Sequence, residues 1–92
     1  MSLLTSRDLE AALSELSDWS LKDGKLHRQF KFSNFTDAFG FMTQMASYSE
    51  SVGHHPEWFN VYNRVTVELT TDDAGGITQN DIAWAKKSNT LV

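Results

Sequence analysis

Glu50-Ser-Val-Gly-His-His-Pro-Glu-Trp-Phe-Asn-Val-Tyr-Asn63 joins a helical pattern to a strand pattern. Apolar residues recur at three-and-four spacing before it and at period two after it, so a helix ends and a strand begins within it. Gly53 suits the helix C-cap because it adopts left-handed backbone angles without steric penalty, and Pro56 forbids continuation. His54 and His55 then emerge in an extended segment just past a helix end. Two of the chain's three histidines lie here, with its only proline and one of its three tryptophans. Imidazole is the side chain whose ordinary pKa lies nearest neutrality, so a His pair at such a junction suits proton donation and acceptance. A solvated loop pair is the ordinary alternative, although sites favour loops held on rigid scaffolds.

Upstream, Asn34-Phe-Thr-Asp37 is a helix-capping signature. Phe35, Ala38, Phe39, Met42, Met45 and Ala46 follow as an apolar stripe out to about Ser51, expected to pack in the core; Phe41 lies off that stripe and is expected at a subunit contact. Before this helix, Trp19–Lys22 and Lys25–Phe32 flank Asp23-Gly24, a dipeptide suited to two-residue hairpin turns. Leu26, Phe30 and Phe32 share one face, and His27, Gln29 and Lys31 the other, which leaves His27 facing solvent with no site role. Thr5-Ser-Arg-Asp8 starts a short amphipathic helix over residues 6 to 16.

Downstream, Trp58–Tyr62 and Arg64–Thr70 form a second hairpin around Tyr62-Asn63, with Asn63 the residue suited to positive φ. Val65, Val67 and Leu69 alternate with Thr66, Glu68 and Thr70, as in a sheet covered on one side. Thr71–Ile77 is a tight acidic loop, and Thr78-Gln-Asn-Asp81 caps a final helix containing Ile82, Trp84 and Ala85. Two hairpins separated by a long helix exclude a doubly wound parallel sheet. The expected fold is α+β: a four-stranded antiparallel sheet with three helices packed on one face, in the order α-β-β-α-β-β-α, as a single domain over residues 1–92.

Composition bounds the function. A 92-residue chain that is 40% hydrophobic makes one small globular unit. A net charge of −4, with no run of Lys or Arg, argues against direct nucleic-acid binding. Cysteine is absent, which removes disulfides and thiolate metal sites. No apolar window has membrane-spanning length and the first residues lack a signal-peptide pattern, so a cytoplasmic protein is expected.

His54-His-Pro-Glu-Trp-Phe-Asn-Val-Tyr-Asn63, together with Leu69-Thr-Thr-Asp-Asp-Ala-Gly-Gly-Ile-Thr-Gln-Asn-Asp81, closely resembles the pterin-4a-carbinolamine dehydratase family. The likeness extends over nearly the whole chain, taking in Trp19, Phe30-Lys-Phe32, Phe35, Ala38 and the order of elements. It implies dehydration of a 4a-hydroxytetrahydropterin to quinonoid dihydropterin in tetrahydropterin recycling, without metal or other cofactor, in a homodimer or homotetramer. By match to the family motif, His54 is the principal acid/base group, and His55 and Pro56 line the pterin pocket. Glu50 and Asp81 are its polar supports, and Thr71, Asp72, Asp73 and Ala74 form the opposite wall.

One position departs from the pattern. Most family members place a third histidine immediately before the Asp-x-Gly-Gly turn, where this chain has Asp72. An ordinary aspartate is ionised at pH 7 and is a poor proton donor to a leaving hydroxyl. The catalytic set implied is therefore His54, His55 and Asp72, with attenuated activity and a changed preference between C4a stereoisomers. Two other classes stay open: a non-catalytic pterin-binding, dimerisation or scaffold protein of the same fold, and a metal site on His54 and His55. Adjacent residues of an extended segment point to opposite faces, which disfavours the metal site.

Overall fold

The computed structural model describes residues 2–92. Its elements are α1 (Ser6–Ser14), β1 (Ser20–Lys22), β2 (Lys25–Lys31), α2 (Phe35–Val52), β3 (Glu57–Val61), β4 (Arg64–Leu69) and α3 (Gln79–Asn89), with a single 3-10 turn over Asp72–Ala74. The strands form one antiparallel sheet in the order β1-β2-β4-β3. This is the α+β architecture expected from the alternating hairpins and helices.

Each boundary has a local cause. Thr5 and Asn34 accept the Asp8 and Asp37 amides with their side chains, starting α1 and α2. Gly53, at φ +66°, ends α2, and both its amide and that of His54 turn back to the Ser49 carbonyl. Asp23 and Gly24 take positive φ at the β1–β2 turn, as the sequence predicts. At the β3–β4 turn the positive φ belongs to Tyr62 and not to Asn63. Asn63 instead ties the turn to the end of β2, donating from Nδ2 to the Phe32 carbonyl and accepting the Phe32 amide.

Leu26, Phe30, Val65, Val67 and Leu69 point to one side of the sheet and form a single core with Leu16, Ala38, Phe41, Met45, Ile82, Trp84 and Ala85. Arg28 joins this side. Its guanidinium lies 4.1 Å above the Phe30 ring and donates to Asn89 Oδ1, which also accepts Trp19 Nε1 and so anchors the end of α3. Burial pushes the Arg28 guanidinium below its ordinary pKa, with Asp18 opposing.

The rotation of α2 differs from the expected stripe. Phe41 is a core residue, seated 4.6 Å from the Phe30 ring and 5.1 Å from Phe32, whereas Phe35, Phe39 and Ala46 are exposed. The buried face runs Ala38–Phe41–Met45–Ser49, with Met42 half-buried beside it. The Phe30 ring on β2 and the Phe32 ring just beyond it interlock with Phe41, and that contact sets the helix phase.

Candidate functional site

The junction between α2 and β3 faces the loop between β4 and α3. Because the Gly53 cap reverses the chain sharply, His54 is turned inward and is only 8% exposed, while His55 points outward. His54 Nε2 lies 2.5 Å from Asp81 Oδ1, and Asp81 is fully buried in the first turn of α3. Asp81 serves that helix at the same time. Its Oδ2 accepts the Thr78 amide at 2.9 Å in a capping box. Asp81 Oδ2 also accepts the Thr71 hydroxyl at 2.8 Å. No protein hydrogen bond reaches His54 Nδ1 among the described residues, so this nitrogen is the one left for the cleft.

His54, His55, Thr70, Thr71, Asp72 and Asp73 line an open cleft of about 260 Å³. His55 Nε2 lies 2.5 Å from Glu50 Oε1, an exposed pair at its rim. Of the residues singled out in the sequence, His54, His55, Thr71, Asp72 and Asp73 meet around the cleft. Asp81 stands behind His54, Glu50 behind His55, and Pro56 and Ala74 are half-buried outside the lining. Thr70 was missed as a lining residue, although the alternation of Thr66 and Glu68 continues to it. Thr78, a helix cap by its sequence pattern, also places its buried hydroxyl 2.8 Å from that of Thr71.

Among the described residues, no three His, Asp or Glu side chains gather as a metal-holding group, and no helix is long and apolar enough to cross a membrane. Trp58 packs edge-on against Trp84, on the core side of β3.

Known proteins resemble this chain over nearly its whole length. The chain is 53% identical over 88 residues to a protein of Solibacter usitatus named "Putative pterin-4-alpha-carbinolamine dehydratase", covering 96% of this chain and 93% of that one. A protein of the same name from Rhizobium johnstonii is also 53% identical over 88 residues, covering 94% and 87%. Among solved structures, a transcriptional coactivator/pterin dehydratase from Brucella melitensis superposes with a TM-score of 0.92 at 48% identity over 96% of both chains. A pterin dehydratase-like RuBisCO assembly factor of the alpha-carboxysome shares the fold alone, with a TM-score of 0.65 at 23% identity over 79% of this chain and 84% of that one. Residues 2–91 match the family described as pterin 4 alpha carbinolamine dehydratase, and the chain belongs to that family.

Proposed function

We propose that this chain dehydrates a 4a-hydroxytetrahydropterin to the quinonoid dihydropterin, with His54 as the principal acid/base group. The observation that carries the reading is the His54–Asp81 pair, a buried imidazole held through Nε2 by a fully buried carboxylate at the edge of an open cleft. In the reaction the C4a–O bond breaks and its electron pair leaves with the oxygen. The N5 lone pair forms the C4a–N5 double bond, the N5 proton is removed, and a proton delivered to the oxygen lets it depart as water. One proton is taken and one given, with no net oxidation, so acid/base groups suffice. His54 Nδ1 takes up the proton traffic, His55 with Glu50 borders the ring, and the wall at Asp72 and Asp73 reads its polar edge.

Asp72 is the weak member of the set. A carboxylate accepts hydrogen bonds and gives none, so it assists proton removal and not departure of the hydroxyl. Asp72→His is expected to raise the dehydration rate of at least one C4a stereoisomer. Stopped-flow measurement of carbinolamine loss tests both points. A wild-type rate equal to the uncatalysed one sinks the enzyme reading, and equal rates for wild type and Asp72→His for both isomers sink the limiting role of Asp72.

A second reading, a non-catalytic pterin-binding or scaffold protein, is favoured by one feature. Phe35 and Phe39 lie exposed on α2 with ring centroids 5.8 Å apart, an unusual cost unless a partner covers them. The same feature, with the exposed Phe59 and Val61 on edge strand β3, supports self-association as a homodimer or homotetramer. Light scattering on the purified chain distinguishes these from a monomer. Recycling of a tetrahydropterin would place the protein in the cytoplasm.

A further inference from the structure

We infer that Thr71 is a positioning residue for His54, acting through Asp81, and that Nδ1 is the reacting nitrogen of His54. The inference rests on the acid/base reading above and names how the fold holds the imidazole.

Thr71 occupies the N-cap position of the Asp72–Ala74 turn, where a threonine hydroxyl ordinarily accepts an amide of its own turn. Here it makes no such bond. The loop closes through its backbone without it: the Thr71 amide donates to the Gly76 carbonyl at 2.8 Å, and the Thr71 carbonyl accepts the Ala74 and Gly75 amides at 3.1 and 2.9 Å. The hydroxyl is thereby released to face Asp81.

With Asp81 a carboxylate, proton counting fixes the direction of every bond in the chain that follows. A hydroxyl owns one proton, and a carboxylate only accepts. Thr71 gives its proton to Asp81 Oδ2, so the 2.8 Å contact between the two threonines must run from the Thr78 hydroxyl to Thr71 Oγ1. Thr78 Oγ1 in turn accepts the Asn80 amide at 3.2 Å. Asp81 Oδ2 is filled by Thr71 and the Thr78 amide, which leaves Oδ1 to His54. Nε2 of His54 must therefore carry a proton in either charge state, and Nδ1 is free to exchange one.

Thr78 and Asp81 are fully buried, where such linked bonds are strong and loss of a donor is felt. Carboxylate rotation about its terminal torsion is otherwise broad. Without the Thr71 hydroxyl, one donor fewer holds the Asp81 plane, and the imidazole loses its fixed aim.

The experiment compares wild type, Thr71→Val and Thr71→Ser by steady-state kinetics and by ring ¹⁵N NMR of His54. Thr71→Val, of nearly equal shape, is expected to lower kcat about tenfold with KM within about twofold, as loss of a hydrogen bond to a charged group implies. Thr71→Ser restores kcat, and the neutral His54 ring changes from purely Nε2-protonated in wild type to a mixture in Thr71→Val. A Thr71→Val protein with wild-type kcat and an unchanged ring signature overturns the inference, whatever its melting temperature. So does a neutral wild-type His54 protonated at Nδ1, a result that needs no variant to fold. If wild type lacks dehydratase activity, the enzyme reading fails while the ring spectra still decide the role of Thr71.

Discussion

Trp84 donates its indole N–H to Ser49 Oγ at 2.9 Å, and this buried bond joins the two helices that carry the candidate site. Ser49 closes α2 just ahead of His54 and accepts the His54 amide with its carbonyl, while Trp84 lies one turn beyond Asp81 on α3. The spacing of His54 from Asp81 is thus set partly by a bond outside the cleft. Ser49→Ala leaves the indole N–H buried without a partner, and is expected to cost about 1–3 kcal/mol in denaturant unfolding. A change below about 0.5 kcal/mol would contradict the clamp.

The α2 rotation makes a paired prediction. Phe41→Ala removes a ring enclosed by Phe30 and Phe32 and is expected to destabilise the protein by about 3–5 kcal/mol. Phe39→Ala, more than half exposed, is expected to change the stability of the isolated chain by less than about 0.5 kcal/mol. Unfolding at low concentration, where self-association is absent, measures both. The reverse order would restore the stripe predicted from the sequence.

These two phenylalanines show where the sequence stops being legible. Caps at Thr5, Asn34 and Thr78, the Asp23-Gly24 turn and the Gly53 stop follow local rules, so the elements and their order could be read directly. Phe35, Ala38, Phe39, Phe41 and Met42 surround much of the first turns of α2, so more than one arc satisfies helical periodicity. Only the Phe30 and Phe32 rings choose between the arcs. The site divides in the same way. His54 and His55 are adjacent in the motif and indistinguishable by type; the Gly53 reversal and the distant Asp81 decide which one is buried. The Thr71 hydroxyl looked like part of a ligand-reading wall, and its turn toward Asp81 depends on loop hydrogen bonds that no spacing reveals.

Lys25 and Glu57 make a pH prediction at the start of β2 and β3. Their Nζ–Oε1 distance is 2.6 Å, and the hydrogen bond to Glu57 holds the Lys25 ammonium above the ordinary lysine pKa. A base raised in the folded state adds stability that is fully present below its unfolded pKa and is lost as pH rises through the folded one. The contribution therefore disappears in the alkaline window at and above the ordinary lysine value. Glu57→Gln is expected to bring the Lys25 titration, followed by side-chain ¹³C NMR, back toward that value. An unchanged titration would show that the pair does not form in solution.

The central claim is that His54, buried against Asp81, carries the acid/base work. Stopped-flow carbinolamine loss in wild type, His54→Ala and His55→Ala, with folding verified by circular dichroism, tests it most directly. The expected result is that folded His54→Ala loses about 10²–10⁴ of the acceleration, the span of a general acid/base group, and that His55→Ala loses less. A folded His54→Ala protein dehydrating its substrate at the wild-type rate would contradict the account.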